Sequence, residues 1–207
     1  MMECEDGGVV RSVLERFVRE RAGGGVLRDV KYLFVPFWVV EVEAVTRYNG
    51  YLEKKIYRNK SSYTEYRPVK GVIGERLAVA VYGRRFEGLF GLGQVKSILL
   101  SRLEAAKPLD AERARGWTVI GSELEDWEAM EAAKSRVAEE HRRRVEEMAT
   151  KVFDCYTEAV VRSTKLILYP VVEARYESGG KSYRVCMDCV KGAVEASCRG
   201  DACYKMG

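Results

Sequence analysis

Four of the six cysteines fall near the C-terminal end, as Cys186-Met187-Asp188-Cys189, Cys198 and Cys203. Thiolates at this spacing could hold zinc or exchange a disulfide. The hairpin expected around them argues against the metal. A turn over Cys189–Gly192 opposes Asp188 to Ala193, which leaves Cys189 at the tip and Cys198 near the base. At ~3.3 Å per residue, the two thiols end up roughly 15–20 Å apart. Four thiolates around zinc must each lie about 2.3 Å from the ion. Cys186 and Cys189 are the only metal candidates, and no metal or cofactor is expected. The readings that stay open are a Cys198–Cys203 disulfide closing a small loop, pairings with Cys4 or Cys155, and free buried thiols. A Cys-x-x-Cys redox pair usually opens a helix, whereas this one falls on a hairpin. His141 is the single histidine, on a charged stretch flanked by Glu139, Glu140 and Arg142–Arg144. With no Ser or Cys placed beside it for a triad, it reads as a solvated helix position, and it excludes any multi-histidine metal site. Glu41 and Glu43 share a strand face that reads as outward. Glu123, Glu125 and Asp126 suit the positive end of a helix dipole.

The richest binding signal runs from Arg47 to Lys70. It carries seven basic residues (Arg47, Lys54, Lys55, Arg58, Lys60, Arg67, Lys70) against Glu53 and Glu65. That excess of five exceeds the net charge of +4 on the whole chain. Tyr48, Tyr51, Tyr57, Tyr63 and Tyr66 are interleaved with the cations. Cations neutralise phosphates, and tyrosine rings offer flat faces to unstacked bases, the combination used by single-strand binders. The same residues also suit a hairpin that uses Tyr as a strand former and Lys/Arg to protect its edge.

These groups need elements to carry them. Val9, Val10, Val13, Leu14, Phe17 and Val18 recur at helical spacing, which predicts an N-terminal helix over 8–22 ended by Gly23–Gly25. A first meander is expected over 30–82. Asn49-Gly50 gives the strongest short hairpin signal, with Tyr51–Arg58 as the returning strand, a second turn at Asn59–Ser62, and a third strand at Tyr63–Val69. A helical middle spans 93–150. Ser122-Glu123-Leu124-Glu125 reads as a capping box opening a long helix with the stripe Trp127, Met130, Val137, Val145 and Met148. A second meander covers 152–198, with the strand Leu166–Tyr176 interrupted at Pro170 and a turn at Gly179-Gly180. A Cys-containing tail covers 199–207. Val35-Pro36-Phe37-Trp38-Val39-Val40-Glu41 and Tyr169-Pro170-Val171-Val172-Glu173 share a pattern, which suggests an internal duplication. The expected fold is one α+β domain over 1–207, with antiparallel β-meanders packed against an N-terminal helix and one long central helix.

Val-Pro-Phe-Trp in the first strand, Tyr66-Arg67-Pro68-Val69-Lys70-Gly71, Lys107-Pro108-Leu109-Asp110, Gly116-Trp117, Leu168-Tyr169-Pro170 and the hairpin from Lys181 to Gly192 resemble an uncharacterised bacterial and archaeal family. Its longer members carry an N-terminal zinc ribbon, and some are labelled primosomal protein N′ or replication factor Y. This chain has no such ribbon, carries Cys189 where a turn glycine is usual, and lacks the second Pro-aromatic-Trp. No Gly-rich loop ends in Gly-Lys-Ser/Thr, so the helicase label gains nothing from these residues.

Composition sets the remaining bounds. The 207 residues are 47% hydrophobic and 32% charged, enough to bury a core and exclude a disordered tail. Asn49, Asn59 and Gln94 are the only side-chain amides, a depletion typical of hyperthermophiles and read here as an archaeal source. No apolar run suffices for a membrane span, and the acidic N-terminus lacks a signal-peptide order, so a cytoplasmic location is expected. The expected function is a non-enzymatic binding module contacting single-stranded nucleic acid through Arg47, Tyr48, Tyr51, Lys54, Lys55, Tyr57, Arg58, Lys60, Tyr63, Tyr66 and Arg67. The first alternative is a module for a partner protein, a homo-oligomer or a small apolar ligand, with Trp38, Trp117 and Trp127 around a cavity. The second is a thiol-redox or metal-dependent enzyme using Cys186 and Cys189.

Overall fold

The computed structural model describes residues 7–21, 25–58, 61–84, 99–101, 103–109, 112, 114–199 and 202–205. In chain order it contains α1 (Gly7–Arg21), β1 (Val26–Arg58), β2 (Ser61–Tyr82), a 3-10 turn (Leu103–Ala105), β3 (Thr118–Val119), α2 (Asp126–Met148), β4 (Lys151–Ser178), β5 (Lys181–Asp188), β6 (Ala193–Arg199) and β7 (Ala202–Lys205). The strands form a sheet of order β2-β1-β4-β5-β6-β7, with β3 pairing β1 in parallel through Leu33↔Thr118 and Phe34↔Val119. The class is α+β with mainly antiparallel pairing. Among the described residues, no helix is long and apolar enough to cross a membrane.

The chain divides into two compact units: Met1–Val39, Ala80–Glu125 and Leu166–Gly207 form the first, and Val40–Val79 with Asp126–Lys165 form the second. In the first unit, α1 buries Val10, Leu14 and Val18 against Val172, Ala174 and Tyr176 of β4 and Val185 and Met187 of β5. This is the apolar stripe expected from its spacing, and each such side chain contributes about 1.5–3 kcal/mol of burial. Gly179 and Gly180 turn β4 into β5 at φ +56° and +70°, which a two-residue type I′ turn requires. Ser178 then pairs with Lys181, and the ladder runs to Val171↔Asp188. Asp188 opposes Ala193 across the next turn, as expected, and a bulge between Cys186 and Met187 sets Cys186 opposite Ala196. Pro170 does not interrupt its strand, contrary to expectation. It lies just beyond the last β4–β5 pair, and its carbonyl accepts from the Cys189 N–H at 3.4 Å.

In the second unit, Val40, Val42, Ala44 and Thr46 are buried at alternate positions of β1, as one face of a strand must be. The buried stripe of α2 is Ala129, Ala133, Val137, His141 and Val145. It runs at four-residue spacing, with alanines in place of the large side chains expected. Trp127 and Met148 are instead exposed. The helix also opens later than the expected capping box: Asp126 accepts from the Trp127 N–H at 2.7 Å. Ser122 is engaged in the first unit, where its hydroxyl accepts from Trp38 Nε1 at 3.1 Å.

The Asn49-Gly50 hairpin does not form. β1 runs through both residues to Arg58, and β2 begins at Ser61; of the second expected turn, Asn59 and Lys60 lie outside the described residues. Gly50 has another role: a Cβ at this position would collide with the Lys151 carbonyl oxygen. The glycine admits the β4 backbone, and Asn49 Nδ2 donates to Asp154 Oδ2 at 2.6 Å.

Candidate functional sites

Only residues 59 and 60 separate β1 from β2, a connection that can join only antiparallel strands. β4 begins at Lys151, beside Gly50. The hairpin arms 52–58 and 61–67 lie beyond that point. Their described side chains are exposed or half-buried on both faces, with none buried. The arms form a two-stranded ribbon. Tyr57, Tyr63 and Tyr66 are 77%, 53% and 60% exposed. Lys54 and Lys55 are exposed beside them, and Arg67 is held by Glu65 at 3.0 Å. The arginine keeps the Glu65 carboxyl below its usual range, mainly by hydrogen bonding.

Alternation splits the expected set. On β1, Arg47, Tyr51, Lys55 and Tyr57 share one face, while Tyr48 and Lys54 share the other. On β2, Tyr66 alternates against Tyr63 and Arg67. An edge-to-face contact with ring centroids 5.1 Å apart brings Tyr66 to Tyr51. Phe153 joins the same group at 5.5 Å from Tyr51, and Lys151 Nζ lies 5.9 Å from the Phe153 centroid. One side thus gathers Arg47, Tyr51, Lys55, Tyr57, Tyr66, Phe153 and Lys151. Local sequence does not point to Phe153 and Lys151, because they lie about a hundred positions away, in a different strand. Arg47 is ion-paired with Glu158 at 3.5 Å. Tyr48 stands over Gly71, where a Cβ would meet its hydroxyl. Lys60 and the Arg58 side chain lie outside the described residues.

The second constellation is buried. His141 is 0% exposed, which corrects the solvated position expected from its charged neighbours. Its Nε2 is 2.7 Å from Glu75 Oε1, and its Nδ1 is 2.7 Å from the Thr46 hydroxyl. A carboxylate only accepts, so Nε2 carries a proton. With a neutral ring, the Thr46 hydroxyl donates to Nδ1 and accepts from the Thr157 hydroxyl at 2.6 Å. Arg144 Nη1 donates to the same Glu75 oxygen at 3.0 Å and its Nε donates to Glu140 at 3.2 Å. The hydrogen bond from His141, with that from Arg144, holds the Glu75 carboxyl below its ordinary range. Acid, imidazole and hydroxyl stand in the order of a catalytic relay. Thr46 is itself 0% exposed, so this hydroxyl is closed to a substrate. The network joins α2 to β1, β2 and β4 within the second unit.

The cysteine expectations divide. Cys186 and Cys189 are buried thiols that form no disulfide. Burial pushes the Cys186 thiol up to about 12, so thiolate chemistry is suppressed there. Asp188 between them is buried and accepts from the Tyr169 hydroxyl at 2.8 Å and from the Val190 N–H at 2.8 Å. Among the described residues, no group of three His, Cys, Asp or Glu side chains could hold a metal ion. The backbone register sets Cys198 opposite Cys203. Their side chains lie outside the described part, as does Cys4. Of the three tryptophans, Trp117 stacks on Phe34 with centroids 4.5 Å apart, Trp38 is hydrogen-bonded to Ser122, and Trp127 is 58% exposed. Glu41 and Glu43 are bound outward to Arg76 and Arg162 at 2.5 and 2.7 Å.

No protein-family model, curated protein or solved structure matches this chain.

Proposed function

We propose that this chain is a recognition module that binds single-stranded nucleic acid through the β1–β2 ribbon and the sheet face adjoining it. The observation carrying this reading is the exposure of Tyr57, Tyr63 and Tyr66 beside Lys54 and Lys55 on a two-stranded ribbon. Aromatic rings on such a ribbon add little to a core, whereas each is a platform for an unstacked base. The cations beside them supply the phosphate contacts. Phe153 and Lys151 extend the aromatic and basic surface from the ribbon onto β4. Binding rather than catalysis is favoured by the state of the reactive groups: both nitrogens of His141 are engaged in a buried network, and Cys186 and Cys189 are buried.

Fluorescence anisotropy with a labelled oligothymidylate tests the reading. Replacing Tyr57 and Tyr66 together by Ala should weaken binding by roughly 30-fold or more, given about 1–3 kcal/mol per stacked base and tenfold per about 1.4 kcal/mol. Unchanged affinity in the double variant, or no binding by the parent chain, would reject the proposal.

A further inference from the structure

The β6–β7 hairpin brings two cysteines into register. β6 is held to β5 through pairs that include Val185↔Ser197 and Arg184↔Cys198. β7 runs only from Ala202 to Lys205 and, among the described residues, pairs with β6 alone, at the end of the sheet order. Its ladder sets Arg199 opposite Ala202, Cys198 opposite Cys203 and Ser197 opposite Tyr204. Directly opposed residues of an antiparallel pair lie on one face, with Cα atoms about 4.5–5.5 Å apart. A disulfide spans Cα separations of about 4.4–6.8 Å, so this backbone placement admits the bond without movement of either strand. Among the described residues, no other cysteine has such a partner. Cys186 stands opposite Glu173 and Ala196, Cys189 lies in the turn after β5, and Cys155 belongs to the second unit.

We propose that Cys198 and Cys203 form a reversible disulfide that clips β7 onto β6 under oxidising conditions. A small-molecule disulfide is the oxidant. The thiolate of one cysteine attacks a sulfur of that molecule, forming a mixed disulfide and expelling a first small thiolate. The thiolate of the other cysteine then attacks the protein sulfur of the mixed disulfide, forming the Cys198–Cys203 bond and expelling a second. The protein gives up two electrons and two protons, and the small disulfide becomes two thiols. The bond closes a loop of six residues, Cys198–Cys203. It removes conformational freedom from the opened hairpin. A four-residue strand bonded on one side is otherwise among the first elements to open. The effect is reciprocal: the paired strands favour the disulfide by the same factor as the disulfide favours their pairing. The inference is independent of the nucleic-acid reading, because β6 and β7 belong to the first unit and the ribbon to the second.

Peptide mapping of the full chain, equilibrated with oxidised and reduced glutathione and then alkylated, tests the proposal. Trypsin cuts after Lys191, Arg199 and Lys205, so the bond joins peptides 192–199 and 200–205. This linked pair should appear, two hydrogens lighter than the two thiol peptides together. Cys186 and Cys189 should be recovered alkylated after unfolding. The glutathione ratio that half-reduces the bond should be more reducing by roughly tenfold or more in buffer than in concentrated urea, because only the paired strands hold the two positions together. Amides of 203–205 should exchange with solvent more slowly in the oxidised chain than in Cys198→Ser/Cys203→Ser, with far-UV circular dichroism unchanged. Cys198 and Cys203 that stay free, carry glutathione singly or link to another cysteine would overturn the proposal. So would a half-reduction ratio indifferent to urea, or exchange at 203–205 indifferent to oxidation.

Discussion

Glu75 shows how a residue with the look of surface charge becomes a structural part. Its carboxylate accepts from His141 and Arg144 and is held low by them. The sign of the pH effect follows. A carboxyl whose folded pKa is depressed adds stability at pH values above its unfolded value of about 4.3. That contribution disappears as pH falls through the folded value. Glu75→Gln should therefore lower the urea midpoint at neutral pH. The gap between parent and variant should narrow steadily as pH drops below about 5. A gap that stays constant with pH would mean that the carboxylate charge is not what stabilises. Sequence alone does not reveal this site. Glu75, Thr46 and Thr157 lie 66, 95 and 16 positions from His141, and the arginines around the histidine imitate a solvated face. The one clue is spacing: His141 continues the four-residue series Ala129, Ala133, Val137, and is followed by Val145.

At the scale of elements, local sequence signals hold where local chemistry decides the outcome. The α1 stripe, the Gly179-Gly180 turn and the Cys189–Gly192 turn all follow from spacing or from positive φ. They fail where tertiary packing overrides local preference. Asn49-Gly50 has the composition of a type I′ turn, yet Gly50 serves the close approach of Lys151, which no local pattern encodes. Trp127 and Met148 have the size expected of a buried helix stripe, whereas alanines let α2 sit close to the sheet. Gly50→Ala should accordingly destabilise the fold by about 1–3 kcal/mol, because added volume must displace a backbone. Guanidinium unfolding measures it. A cost of a few tenths of a kcal/mol would return Gly50 to the role of a dispensable turn residue.

Over the whole molecule, the α+β class and the basic, tyrosine-rich segment are legible in the sequence. How the segment is displayed is not. It emerges as a ribbon whose faces carry different subsets, joined on one side by Phe153 and Lys151. Of the three tryptophans expected around a cavity, Trp117 stacks on Phe34 and Trp127 is exposed. In the proposed binding mode, ribbon cations meet phosphates while ribbon tyrosines stack on bases. The most direct test is the salt dependence of oligothymidylate binding, compared between the parent chain and Lys54→Ala/Lys55→Ala. The parent should show a falling log–log plot of affinity against salt. The double variant should bind more weakly with a slope shallower by about 1.4, since each single-strand phosphate that a cation neutralises contributes about 0.7. A salt-independent affinity, or a slope that survives the double substitution unchanged, would contradict it.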